Sequence, residues 1–159
     1  MRIAFICTAN VCRSVMAHAI LERIVQARNL DIEVFSAGVN DFTGTPPADN
    51  AWLTCLQNNT SISKMESLFV GNLDLDRIEW FLAMEHVHKD LLASTYRINE
   101  RRIRLLGTFD NESNDMEIAD PINKPKKAFQ DCFNRIERCI EGFLNQMSES
   151  EQDASGDRR

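Results

Sequence analysis

A short apolar run, Ile3-Ala4-Phe5-Ile6, opens the chain and predicts a buried strand. From Val15 to Arg28 the apolar residues Ala17, Ile20, Leu21, Ile24 and Val25 fall on one stripe, which predicts a helix. Glu33 to Phe35 predicts a second strand, stopped by Ser36-Ala37-Gly38. A loop rich in Gly, Pro and Asp follows from Asn40 to Asp49, then a helix over Asn50–Leu56. Ile78–Met84 reads as a third strand, His86–Ala93 as a helix and Arg102–Leu106 as a last strand. Asn111–Lys127 is polar and contains proline, so it reads as a loop. In the final helix, Ala128–Met147, residues Phe129, Cys132, Phe133, Ile136, Cys139, Ile140 and Phe143 keep helical spacing. From Ser148 the apolar residues cease, which predicts a disordered acidic tail over 148–159 behind a single domain over 1–147.

Strands alternating with helices imply an α/β fold. The expected architecture has three layers: a four-stranded parallel twisted sheet with helices on both faces. Ligands of such sheets bind at the carboxyl ends of the strands.

Composition narrows the function. The chain has 159 residues, enough for one compact core, and a formal net charge of -6. No run of Lys or Arg reads as a nucleic-acid patch, and no apolar run approaches the roughly 20 residues that span a bilayer. The N-terminus lacks the pattern of a signal peptide. The five cysteines are odd in number and irregularly spaced, which argues for a reducing compartment and a cytoplasmic location.

The first strand ends in Cys7-Thr8-Ala9-Asn10-Val11-Cys12-Arg13-Ser14, and a helix starts at once. Such a loop turns backbone N–H groups inward and adds the positive end of the helix dipole, forming an anion cradle. A thiolate at Cys7 is stabilised there and is a strong nucleophile. The planar fork of Arg13 suits two phosphate oxygens and the charge of a transition state. Ser14 is expected to cap the helix and to donate to the Cys7 sulfur. Displacement at phosphorus also needs an acid for the leaving oxygen. Asp120, before Pro121 in the late polar loop, is the candidate. The candidate catalytic residues are therefore Cys7, Arg13 and Asp120. Thr8, Ala9, Asn10, Val11, Cys12 and Ser14 form the expected phosphate-binding loop. Neither a cofactor nor a metal is called for: His86 and His88 flank Val87, but no cluster with ligand spacing supports a metal site.

These residues resemble the low-molecular-weight protein tyrosine phosphatases over nearly the whole domain. Cys7, Asn10, Cys12, Arg13, Ser14, Met16 and Ala17 fit that family's phosphate loop, and Asp120-Pro121 its late acid. Ser36-Ala37-Gly38, Ala48-Asp49, Leu82-Ala83-Met84-Glu85 with His88, and Ile103-Arg104-Leu105-Leu106-Gly107 fit in order, with Glu85 where Asp is usual. The resemblance implies a phosphotyrosine protein phosphatase working through a phosphocysteine. Its substrate would be a tyrosine-phosphorylated protein, with a tyrosine kinase as a partner. It also implies an aromatic substrate wall at Phe42 and reversible disulfide formation between Cys7 and Cys12. Departures from the family pattern are Ala9 for Gly, Val15 for Pro, Ser63 and Glu66 for a supporting His and Arg, and Ile122-Asn123 for the aromatics after Asp-Pro.

Plainer roles stand beside these. Cys7 and Cys12 also suit core thiols, and Asp120 a turn before proline. Phe42 also suits a core position. Cys55, Cys132, Cys139, Trp52 and Trp80 are expected in the core. Three other functions remain on this fold. A protein-arginine phosphatase typically has Thr where Val11 stands. An arsenate reductase needs additional cysteines near the site, and Glu85–Ala93 has none. A binding-only phosphoprotein module would need no nucleophile and acid together.

Overall fold

A computed structural model of the chain describes the backbone of residues 1–62 and 64–156, with side chains described as far as Ser150. Four strands form the sheet: β1 (Arg2–Cys7), β2 (Glu33–Gly38), β3 (Trp80–Ala83) and β4 (Ile103–Leu105). They run parallel in the order β2-β1-β3-β4. The helices are α1 (Arg13–Arg28), α2 (Asp49–Gln57), α3 (His86–Ser94) and α4 (Lys126–Gly156). Every expected strand and helix is present. The ends shift by a few residues, and short 3-10 turns at 70–72, 75–77, 100–102 and 106–109 add to the pattern.

Alternation along the strands builds two cores. Ile3 and Phe5 of β1 and Leu82 of β3 point to one face, where they meet Met16, Ile20 and Leu21 of α1 and Phe133, Ile136 and Ile140 of α4. Ala4 and Ile6 of β1 point the other way with Phe81 and Ala83 of β3, against Leu92 of α3. The three layers expected from the sequence are thus α1, α2 and α4 on one side, the sheet, and α3 on the other.

Two expectations change. α4 does not stop at Met147 but runs to Gly156, through residues predicted to be disordered. Ser148 and Ser150 donate their hydroxyls back to the carbonyls of Leu144 and Gln146, so polar composition here continues a solvated helix. Trp52, expected in the core, is 41% exposed on α2. Trp80 is half-buried, with its ring edge-on to Phe143 and Arg104 over its face. Cys55, Cys132 and Cys139 are buried as expected.

The functional loop leaves β1 where its two neighbours diverge. Cys7 pairs with Gly38 of β2, and Ile6 with Ala83 of β3. The loop closes back on β2 through bonds from Val39 N–H to the Cys7 carbonyl and from Asn40 N–H to the Thr8 carbonyl, each 3.0 Å. This crevice at the carboxyl edge is the binding position expected of such sheets.

Candidate active site

The loop Cys7–Ser14 is built around its own buried polar groups. Asn10 takes a left-handed backbone, φ 56°, which turns the chain. Its N–H points at the Cys7 sulfur, 3.3 Å away. Its side-chain amide donates to Ser14 Oγ at 2.7 Å and accepts from Leu68 N–H at 2.9 Å. Ser14 Oγ in turn lies 2.9 Å from Cys7 Sγ. The nucleophile therefore sits against a backbone N–H and a hydroxyl, both fixed from beneath.

These contacts settle several expectations. Ser14 is not the N-cap of α1. Cys12 holds that position, and the Ser14 hydroxyl serves the Cys7 sulfur instead. Ala9 is not among the described residues with positive φ, so its methyl is tolerated. The room comes from Gly38: a β-carbon there would lie 2.8 Å from the Thr8 carbonyl oxygen and 2.9 Å from the Ala9 carbonyl carbon. Val15 is buried in the first core. Ser63 lies outside the described residues, and Glu66 is exposed. Among the described residues the loop is supported by Ser67, whose hydroxyl donates to the Ala9 carbonyl at 2.6 Å, and by the N–H of Leu68.

Arg13 is 1% exposed and bridges three segments. One terminal nitrogen donates to Glu85 Oε2 at 2.7 Å and to the Ile118 carbonyl at 2.9 Å. The other donates to Asp120 Oδ2 at 2.8 Å. Burial alone would lower its pKa; the Cys7 sulfur and the two carboxylates outweigh burial and raise it. The remaining nitrogen, Nε, is buried without a hydrogen-bond partner. Such a donor fits a phosphoryl oxygen.

Asp120 is held in reach by the late loop. Ile118 N–H bonds the Met84 carbonyl at 2.9 Å, and Glu117 accepts from His86 N–H at 2.8 Å. Behind them Asp110, with its side chain fully buried, accepts from Arg135 and Arg138 of α4. Arg135 also donates to the Glu117 carbonyl at 2.7 Å. Asp120 Oδ1 accepts from Ile122 N–H at 3.1 Å.

Above the sulfur opens a cleft of about 200 Å³, lined by Cys7, Thr8, Ala9, Val11, Cys12, Arg13, Asn40, Phe42, Asp120 and Ile122. It gathers all three candidate catalytic residues. Of the other expected site residues, Thr8, Ala9, Val11, Cys12 and Phe42 line it, while Asn10 and Ser14 lie beneath as supports. Phe42 is 49% exposed, in the place of a wall rather than of core. Cys12 is buried, and burial first, then Asp120 and Cys7, push its thiol up to about 12. All five cysteines are free.

Sequence reasoning left out Asn40, Ser67 and the supporting work of Glu85 and His88. Nothing in the local pattern marks Asn40 or Ser67, because only the fold brings them to the loop. Glu85 and His88 carried a signal, their fixed spacing at the start of a helix.

A family model described as low molecular weight phosphotyrosine protein phosphatase matches residues 2–153. The chain belongs to that family. A curated relative from Dictyostelium discoideum, named low molecular weight phosphotyrosine protein phosphatase, is 26% identical over 92% of this chain and 93% of its own length. Another, the protein-arginine-phosphatase of Geobacillus stearothermophilus, is 29% identical over 92% of this chain and 95% of its own. The solved low molecular weight protein tyrosine phosphatase of T. tengcongensis superposes with a TM-score of 0.85 at 27% identity, covering 92% of this chain and 99% of that one. The family's curated members are thus named for both phosphotyrosine and phosphoarginine.

The fit between Gly38 and the loop gives the first test. Gly38→Ala is expected to displace Thr8 and Ala9, costing about 1–3 kcal/mol of stability in urea unfolding and lowering phosphatase turnover. A variant as stable and as active as the parent would show that the loop does not depend on this close approach.

Proposed function

We propose that this chain is a phosphotyrosine protein phosphatase that hydrolyses phosphomonoesters through a phosphocysteine on Cys7. The observation that carries the reading is the convergence of Cys7, Arg13 and Asp120 on one cleft, with the Cys7 sulfur 2.9 Å from the Ser14 hydroxyl. In the first step the Cys7 thiolate attacks phosphorus and the bond to the ester oxygen breaks. An entering phosphoryl group takes over Nε and the terminal nitrogen of Arg13 now on Asp120. Asp120, released and protonated, gives its proton to the leaving oxygen. In the second step Asp120 takes a proton from water as that water attacks phosphorus. The sulfur–phosphorus bond breaks, and the Ser14 hydroxyl and Asn10 N–H receive the thiolate.

The choice of phosphotyrosine rests on the walls. Val11, Phe42 and Ile122 present apolar surface to the group that carries the phosphate, and an aryl ring packs against such a surface better than a guanidinium, which needs hydrogen-bond acceptors. Protein-arginine phosphatase is the second reading, favoured by the arginine-phosphatase relative. In either case the substrate is a phosphorylated protein. A tyrosine kinase is the opposing partner in the first. Five free cysteines support a reducing compartment, the cytoplasm, as the location in this reading.

Hydrolysis of phosphotyrosine, phosphoserine and phosphoarginine peptides by the purified chain tests the reading. Phosphotyrosine is expected to be preferred, and Val11→Thr to move the ratio toward phosphoarginine. Asp120→Ala should slow esters with poor leaving groups far more than those with good ones. A parent that prefers phosphoarginine would transfer the proposal to the second reading.

Cys12 belongs to the same proposal as the resolving thiol after peroxide oxidises Cys7. Peroxide converts the Cys7 thiolate to sulfenic acid, and the Cys12 thiolate then displaces its oxygen to form the disulfide. With the Cys12 thiol pushed up to about 12, only a small thiolate fraction reacts near neutrality. Disulfide formation after a peroxide pulse should therefore accelerate about tenfold per pH unit between roughly pH 7 and 9. Peptide mass spectrometry of quenched samples measures this. A pH-independent rate, or full recovery of Cys12→Ser by reductant, would remove Cys12 from the cycle.

A further inference from the structure

α3 begins with a capping box of unusual composition. The Glu85 side chain accepts from the backbone N–H of His88, and the His88 ring accepts in return from the N–H of Glu85. The common box has a hydroxyl at the first position and a carboxylate at the fourth. Here the carboxylate comes first and an imidazole fourth. The ring nitrogen that accepts is Nδ1, 3.1 Å from Glu85 N. A neutral His88 whose Nδ1 accepts carries its proton on Nε2. Nε2 lies 2.9 Å from Thr8 Oγ1 and 3.5 Å from Glu85 Oε2. The ring therefore donates to the Thr8 hydroxyl.

The box thus holds the phosphate loop at two places. Glu85 Oε2 takes Arg13 at the far end, and His88 takes Thr8, the residue after the nucleophile. The His88 ring is wholly buried, and Thr8 lines the cleft.

We propose that His88 is a positioning residue for the reaction: its Nε2–H occupies the acceptor side of the Thr8 hydroxyl and leaves the Thr8 proton to be donated to a phosphoryl oxygen in the cleft. The proposal rests on the phosphatase reading of that cleft. A hydroxyl has one proton and two lone pairs. Without His88 it rotates freely, and its proton has no reason to face the substrate. With the imidazole fixed on one lone pair, Thr8 becomes a further oriented donor beside Cys7.

The charges around the ring keep this arrangement intact. Burial first, then Arg13 on α1, lower the His88 pKa to about 4, against the opposing pull of Glu85, Asp120 and Glu117. A second ring proton would sit on Nδ1, facing the N–H of Glu85, and would break the capping box. The ring is therefore neutral at neutral pH, as the bond from the Glu85 N–H to Nδ1 requires.

The test combines nitrogen NMR of the whole protein with Thr8→Val, Thr8→Ser, His88→Ala and the double variant Thr8→Val/His88→Ala. Each protein is assayed with para-nitrophenyl phosphate and titrated with inorganic phosphate. The parent should show His88 as the neutral Nε2–H tautomer down to about pH 5. Thr8→Val and His88→Ala should each weaken phosphate binding and kcat/KM about tenfold, the size of one hydrogen bond to a charged group. Thr8→Ser, which keeps the hydroxyl, should recover most of what Thr8→Val loses, and the double variant should be no worse than the poorer single. An Nδ1–H tautomer, an unchanged Thr8→Val, or losses that multiply in the double variant would overturn the proposal. Should His88→Ala fail to fold, the tautomer and the contrast between Thr8→Val and Thr8→Ser decide alone. A parent that binds phosphate but hydrolyses no ester would refute the phosphatase reading, while the tautomer and the phosphate affinities would still decide the role of His88.

Discussion

The structure is organised around one buried positive charge. Arg13 has almost no contact with solvent, and an unpaired charge in that position would cost several kcal/mol. The fold answers with two carboxylates and a carbonyl from separate parts of the chain: Glu85 after β3, and Ile118 and Asp120 in the late loop. Each acceptor draws its segment to the end of β1, so neutralising Arg13 also assembles the cleft. Glu85, with one methylene more than the aspartate usual in the family, still reaches the guanidinium at 2.7 Å while capping α3.

The same economy applies to the rest of the loop. Beyond the contacts among Cys7, Asn10 and Ser14, the loop takes its shape from neighbours. Asn10 joins Ser14 to Leu68, Ser67 holds the Ala9 carbonyl, and Gly38 lets β2 approach closely. Farther out, Asp110 with Arg135 and Arg138 ties the late loop to α4, so Asp120 hangs from a fixed frame. In the proposed mechanism Asp120 changes partner from Arg13 to the leaving group, and a head free to turn on a fixed backbone suits that exchange.

Much of this was legible in the chain. The apolar periods of Ile3–Ile6 and of the stretch from Phe129 to Phe143 mark elements whose faces meet in the core, because burial enforces those periods. Cys7, Arg13 and Asp120 stood out by residue type and by their places after the first strand and in the late loop, and the fold brings them to one cleft. The supports did not stand out. A hydroxyl at Ser67 has many uses, and only the tertiary fold selects the Ala9 carbonyl as its partner. Ser14 reads both as a helix cap and as a partner of the Cys7 sulfur, and the fold keeps only the second, with the sulfur 2.9 Å away. The helix beyond Met147 escaped because the apolar period ends there, while backbone hydrogen bonding does not.

The central claim is that this buried network presents the Cys7 sulfur to phosphorus. The most direct measurement is rapid quenching of the enzyme with a phosphorylated aryl substrate, followed by mass spectrometry of the peptide containing Cys7. The account predicts one phosphoryl group on the Cys7 sulfur, formed as fast as the aryl product is released in the first turnover and absent from Cys7→Ala. Turnover with no phosphoryl group trapped at Cys7, or undiminished turnover by Cys7→Ala, would contradict it.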